Sequence, residues 1–466
     1  MTKRWLRLKA FLAKLSWLER IWLLMPIFIW FSYLPRIGLG GDATMNYELS
    51  LTLIYVVVLA MVGLPTIWRH RKALLKSKHI WILTAFLLWS LLSIIWSPNR
   101  LRGVLTGGIL GLVYLIFLAA WAERVRLRRL LPTLAKLLVG SATIASILAL
   151  IQMVVGTYIQ SRDVTGLCAG CVAGQFGFVR PNLFAIEPQF FGNLLLAPIL
   201  IVYYYLITNR RNWRVGLIFV LLLTTLGLTL SRGAIYACAI GMVVLWLTVR
   251  GRWLAKLMTI DFILMAMVAC LSIQGGLAVI SPTYSETFWG AVTKSINHLS
   301  LGIIDLRPEK VNVNSEESSS ASDSSANTSL SSDEQQPAYD GYVAESTDVR
   351  VNLTKTALTA WSSQDSFHRL AGTGLGSSGV VMARQTGSSY QKEIVQNEYV
   401  EILLERGVIG LLLFLAAIVS TFHKPHRRNA TWVWSILAAY LVQWCFFSGL
   451  PNALHIYLVT SLLLIV

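Results

Sequence analysis

Apolar runs recur along the chain at about 21–35, 47–68, 79–96, 103–122, 130–156, 183–207, 213–231, 233–249, 257–280, 400–422, 430–450 and 452–466. A helix needs roughly 20 apolar residues to cross the hydrocarbon layer, so the pattern predicts about twelve transmembrane helices, the first and last of them short. Ahead of them, Trp5, Leu8, Leu12, Leu15 and Leu18 fall near helical spacing among basic residues. Residues 1–20 therefore read as an amphipathic helix lying on the membrane surface. Residues 21–280 hold spans 1–9, residues 398–466 hold spans 10–12, and 281–397 form a large loop between spans 9 and 10. Within that loop, 311–347 is rich in Ser, Asp, Glu and Asn and has almost no aliphatic content. Such a stretch buries too little surface to offset its ordering entropy, which predicts disorder. The pattern turns helical over 350–397, where Val351, Leu353, Ala357, Leu358 and Trp361 mark an amphipathic helix, followed by a glycine-rich turn at Gly372–Gly379.

Composition strengthens the membrane reading. The 466 residues are 55% hydrophobic and 14% charged, with mean hydropathy +0.61, whereas soluble domains carry about 25% charged residues. The fold class expected is an all-α polytopic membrane protein. The net charge of +17 could suggest nucleic acid, but the cations are not gathered on one domain. Segments 1–20, 69–78, 124–129, 208–214, 250–256 and 423–429 hold 24 of the 40 Lys+Arg and alternate with the apolar runs. Cytoplasmic loops carry that excess, so both termini are expected inside and segment 281–397 outside. No cleavable signal pattern is visible, and the first span is expected to be retained. Cys168 and Cys171 form a lone C-x-x-C, read as a local disulfide or two free thiols rather than as zinc ligands, because zinc wants four.

Arginines near the outer face run against this charge bias. Arg180 precedes a span in Phe178-Val179-Arg180-Pro181-Asn182-Leu183-Phe184, and Arg232 sits between two spans in Thr229-Leu230-Ser231-Arg232-Gly233-Ala234. Arg350 opens the helix after the polar stretch. Each could be an interfacial anchor that snorkels to headgroups. Together they would suit a diphosphate, because guanidinium binds phosphate oxygens through paired, charge-assisted hydrogen bonds. Gly374, Gly376 and Gly379 match a dinucleotide fingerprint literally. That reading is rejected because no strand–turn–helix unit surrounds them; a tight turn whose amides touch an anion fits better. His368, Glu187 and Glu398 are outward groups able to accept a proton. At the end of the loop, Asn397, Glu401 and Glu405 share one helix face, and Gly407 and Gly410 would let a neighbouring helix approach.

Leu228 through Ala234, Gly372 through Gly376, Gln396-Asn397 through Gly410, and Arg180 through Phe184 together resemble the O-antigen ligase/polymerase-like family. The resemblance implies a C-type membrane glycosyltransferase of the bacterial inner membrane, working on its outer face without nucleotide, metal or other cofactor. Its donor would be a polyprenyl-diphosphate-linked glycan, and its acceptor a glycan or lipid-glycan hydroxyl. Arg232 matches the family's essential arginine, and Arg180 and Arg350 match arginines attributed to diphosphate binding. Catalytic roles would then fall to Arg232, Arg350, Gln396, Asn397 and Glu398. The ligase branch carries His where this chain has Gln396. A glutamine amide orients a hydroxyl but cannot take its proton. This leans toward a polymerase-like member, with Glu398 or His368 as base, or a path needing little base help. A member that has lost activity is a further alternative. The competing class is a transporter or flippase of lipid-linked glycans, against which stand the missing inverted repeat and interrupted helices.

Overall fold

The computed structural model describes residues 13, 15–41, 46–161, 173–175, 178–185, 187–208, 212–249, 253–280, 292–293, 295–296, 299–300, 342–392, 394–422, 431–448, 450 and 454–463. In chain order, α1 (Trp17–Phe28) is followed by the hairpin β1 (Arg36–Gly41) and β2 (Asn46–Ser50). Next come α2 (Leu51–Leu75), α3 (Lys78–Leu92) with a tighter turn over Ser93–Trp96, α4 (Arg100–Ala122) and α5 (Arg124–Ser161). A second hairpin, β3 (Ala173–Gln175) and β4 (Phe178–Arg180), leads into α6 (Pro188–Thr208), α7 (Trp213–Leu228), α8 (Arg232–Thr248) and α9 (Trp253–Ile280). After the polar segment come α10 (Tyr342–Ser362), α11 (Ser366–Ala371), α12 (Ser378–Thr386), α13 (Glu398–Phe422), α14 (Thr431–Gln443) and α15 (Leu454–Leu463).

The protein is a mostly helical, polytopic membrane protein. Seven helices are long and apolar enough to cross a bilayer among the described residues: α2, α3 with its turn, α4, α5, α6, α9 and α13. The helices α7, α8 and α14 are apolar but shorter. The bundle wears apolar side chains outside as well as inside: Leu88, Val104, Ile144, Met267 and Val268 are exposed, while Trp22, Phe191, Phe219, Tyr440 and Phe447 are buried. Such a surface is stable against lipid and not against water. Small residues set the closest contacts. A Cβ on Gly241 of α8 would lie 2.7 Å from Leu200 on α6 and 3.1 Å from the Ser435 carbonyl on α14, so these three helices pack backbone to side chain.

Several boundaries differ from the sequence expectation. Arg69–Lys72 and Arg124–Arg129 lie within α2 and α5 rather than in loops, since Lys and Arg favour helix and their long stems reach water from a helix end. Helix α10 starts at Tyr342, eight residues before Arg350, and takes in 342–347, which had read as disordered. The stretch 350–397 is not continuously helical but three helices, α10 to α12, broken by turns. The two β-hairpins qualify the all-α expectation; glycine-rich β1 pairs antiparallel with β2. Most of the basic helix 1–20, Cys168, Cys171 and residues 311–341 lie outside the described residues.

Candidate active site

Contacts between helix ends place the starts of α6, α8 and α13 and the ends of α7 and α14 together. The link from α7 to α8 is short: the Thr229 and Leu230 amides bond back to Leu226 and Gly227 carbonyls, and Leu230 takes a left-handed backbone, φ 49°. That residue reverses the chain, and Arg232 becomes the first residue of α8 rather than the middle of a turn. Its side chain is 5% exposed. Gly233 follows because a Cβ there would sit 2.7 Å from Phe446 and 3.2 Å from the Gln443 amide oxygen, at the end of α14. Ser231 is in the N-cap position, yet its hydroxyl makes no capping bond. The positive end of the α8 dipole is thus not offset by its own cap.

Arg350 and Arg180 converge on this turn. Arg350 donates from Nη2 to Gln189 Oε1 at 2.8 Å, which ties α10 to the first turn of α6, and its positive field reaches the Arg232 guanidinium. Arg180, at the end of β4, donates from Nε to the Thr229 carbonyl at 2.7 Å. The three arginines named from sequence are therefore brought together, and the acceptors Gln189 and Thr229 are both neutral. Guanidiniums crowded at a helix N-terminus repel one another and favour an anion between them.

The residues closing the loop sit beside the same turn. Asn397 caps α13, its side-chain oxygen accepting from the Val400 amide at 3.2 Å, and its Nδ2 donates to the Cys445 carbonyl at 3.3 Å. The Glu398 amide donates to the Trp444 carbonyl at 2.8 Å. Residues 443–446 thus separate Arg232 from Glu398 and touch the elements carrying both. The Glu398 carboxylate is 4% exposed and accepts from the Tyr457 hydroxyl at 2.8 Å. Gln396 has φ 59°, and its Oε1 is buried without a hydrogen-bond partner among the described residues.

Three non-glycine residues have left-handed backbones among the described residues: Leu183, Leu230 and Gln396. One falls in each of the segments that carry Arg180, Arg232 and Glu398. Such a conformation costs about 1–3 kcal/mol where the surroundings hold it, and it concentrates at functional sites. Leu183 is held by Gln152, whose Oε1 accepts from its amide at 2.9 Å.

The glycine-rich turn has another job. The Gly374 amide donates to the Glu405 carbonyl at 2.8 Å, the Leu375 amide to Ser93 Oγ at 3.1 Å, and the Ser378 amide to Glu405 Oε1 at 3.2 Å. The anion its amides touch is the protein's own carboxylate. Gly407 breaks α13, with φ 68° and ψ −170°, and a Cβ there would lie 2.1 Å from the Leu370 carbonyl. Leu370 belongs to α11, so a neighbouring helix makes the close approach that the sequence suggested at Gly407. His368 is half-buried and bonded through Nδ1 to Asp365 Oδ1 at 2.7 Å, so it serves the start of α11 and not the arginines. The exposed Glu187 offers its carbonyl to the start of α6. No group of three or more His, Cys, Asp or Glu is placed to hold a metal among the described residues.

Residues 217–415 match the family model described as O-antigen ligase. Over that region, which is under half of the chain, the protein is similar to O-antigen ligases. No curated protein matches the chain. The O-antigen ligase match runs from α7 through α13 and takes in Arg232, Arg350 and Gln396–Glu398, while Arg180, Gln189 and Tyr457 lie outside it. The match points this part of the chain to glycan assembly. Sequence reasoning missed Gln189 and Tyr457. Gln189 gave one signal, a polar residue opening an apolar run, and Tyr457 gave none because its partner lies 59 positions away.

Proposed function

We propose that this protein is a glycan polymerase or ligase that transfers a polyprenyl-diphosphate-linked glycan to an acceptor hydroxyl on the outer face of the bacterial cytoplasmic membrane. One observation carries the reading: Arg232, Arg350 and Arg180 gather at the N-terminus of α8, with Arg350 on Gln189 and Arg180 on the Thr229 carbonyl. A diphosphate seated there meets guanidinium forks and the positive end of a helix dipole. As the acceptor oxygen bonds to the anomeric carbon, the bond from that carbon to the diphosphate oxygen breaks, and its electron pair leaves with the diphosphate. Cations fixed where that charge develops are a large catalytic term in a site shielded from water. The acceptor proton passes to Glu398, which lies across residues 443–446 from Arg232, while Gln396 Oε1 orients the hydroxyl. His368 is the weaker base candidate because Asp365 already engages it.

In this reading twelve helices cross the membrane, α1 to α9 and α13 to α15, with both termini cytoplasmic. The helix-end contacts support alternation: the arginine cluster and the basic segments fall at opposite ends of the bundle. Neither metal nor nucleotide is used. The family match lends nothing to a transporter reading. The deciding experiment is to incubate purified protein with a lipid-linked oligosaccharide and an acceptor glycan and look for chain growth. Chain growth that needs Arg232 supports the proposal; unchanged donor from well-folded protein counts against it.

A further inference from the structure

At the opposite end of the bundle from the arginine cluster, α5, α6, α7 and the start of α14 enclose a cavity of about 800 Å³. That is within the roughly 300–1,000 Å³ of pockets that bury a small-molecule ligand. One stripe of α5 forms its wall: Arg128, Pro132, Lys136 and Gly140 all line it and recur every four residues, so they share a helix face. Lys136 is the last cation before an uncharged stretch that runs to the end of α5 at Ser161. It therefore marks the boundary between headgroup and hydrocarbon. Beyond it Gly140 leaves the groove open, since a Cβ there would meet no atom within 4 Å. The facing wall is apolar, with Ile201 on α6 and Ile218 on α7, and Trp432 stands at the rim, where an amphipathic ring suits a membrane interface.

We propose that this groove binds one anionic phospholipid, with its phosphate on Lys136, Arg128 adding positive field from the headgroup side, and an acyl chain running past Gly140 between α5, α6 and α7. Charge decides the occupant. The groove opens among the ends carrying the excess of Lys and Arg, and basic pockets between helices on that side hold anionic headgroups. Its apolar length beyond the cations would be wasted on free phosphate. The lipid would wedge α5 against α6 and α7, the two helices that carry Gln189 and the Thr229 turn at their far ends. The inference does not depend on the reaction proposed above.

The test is native mass spectrometry of the full-length protein, delipidated in detergent and titrated with phosphatidylglycerol or phosphatidylcholine. Wild type should retain one phosphatidylglycerol at least about thirtyfold more tightly than phosphatidylcholine. Lys136→Gln should reduce that preference by about fivefold, and Lys136→Gln with Arg128→Gln by about thirtyfold. Gly140→Trp should fill the groove and abolish retention of both lipids; if it does not fold, Gly140→Leu gives the same readout with less bulk. Equal retention of the two lipids, or phosphatidylglycerol retention unchanged by the Lys136 and Gly140 substitutions, overturns the proposal. So does displacement of the lipid by millimolar inorganic phosphate alone, which would make the site one for free phosphate.

Discussion

Two tight turns stand at helix N-termini on the same side of this molecule, and they are built in opposite ways. The glycine-rich turn before α12 consumes its own polar groups: its amides go to Glu405 and Ser93, and the Leu375 carbonyl accepts from Ser97 Oγ at 2.9 Å. The turn before α8 gathers Arg232, Arg350 and Arg180 instead, although neither N-cap serine, Ser231 nor Ser377, caps its own helix. The first turn is a joint, closed on itself, in which every missing side chain makes room for neighbouring backbone. In the proposed reading the second is a receptor, whose positive charge a diphosphate would meet. Both are short, glycine-bearing motifs in the sequence, and only the fate of their polar groups tells them apart.

The comparison is sharpened first where the joint breaks. A Cβ at Gly372 would lie 2.3 Å from the Glu405 carbonyl oxygen, and at Gly407 it would lie 2.1 Å from the Leu370 oxygen, both at positive φ. Gly372→Ala and Gly407→Ala should each cost more than about 4 kcal/mol, beyond the range of ordinary substitutions. The measure is recovery of monodisperse protein and its thermal unfolding. Gly387 also has positive φ, but no atom lies within 4 Å of its missing Cβ. Gly387→Ala should therefore cost only about 1–2 kcal/mol of backbone strain. Equal losses at Gly387 and Gly407 would dismiss the steric account of the joint.

The receptor should fail differently, in rate and not in folding. Each charged hydrogen bond to phosphate is worth roughly 1.5–3 kcal/mol, so Arg232→Ala and Arg350→Ala should slow glycan transfer by about ten- to hundred-fold. Arg232→Lys should be nearly as slow, because lysine keeps the charge and loses the planar fork. Transfer assays at matched protein levels test this; near-normal activity in Arg232→Ala would reduce that arginine to an interfacial anchor. Glu398→Gln should fall by roughly 10²-fold or more if its carboxylate takes the acceptor proton. A pH–rate profile left unchanged by that substitution would point to His368 or to a path without a base. Gln396→His is expected to have the smallest effect, within a few-fold of wild type or activating, since it keeps a group able to orient a hydroxyl. A hundred-fold loss there, in folded protein, would mean the amide has a role a ring nitrogen cannot fill.

Much of the architecture was legible in hydrophobic period alone. Helices formed within the apolar runs because runs of that length in lipid have no other way to pair their backbone groups. Boundaries were less legible: basic residues at 69–72 and 124–129 looked like loop and proved helical. In the site, charge against the outward bias was enough to single out Arg180, Arg232 and Arg350. The acceptors that hold them were not legible, because Gln189 and the Thr229 carbonyl become partners only when α6, α7 and α10 are folded together. The strain at Leu183, Leu230 and Gln396 was equally hidden, since leucine carries no local sign of a left-handed backbone. The glycine turn showed the reverse case. Its composition correctly announced a tight turn and an anion, but the anion was an internal carboxylate.

Helices α10 to α12 are bolted onto the bundle by their own contacts: Arg350 to Gln189, the Trp96 ring nitrogen to the Gly372 carbonyl at 3.0 Å, and the Thr373 amide to the Leu404 carbonyl at 2.9 Å. None of these bonds passes through residues 301–341. These bonds tie the helix carrying Arg350 to the bundle, so the chain is expected to behave as two interlocking pieces. Residues 1–300 and 342–466, made as separate polypeptides in one membrane, should dock through the same bonds. A reporter, an affinity handle or a protease site placed between residues 315 and 340 is expected to leave glycan transfer unchanged, which a transfer assay on the modified protein checks.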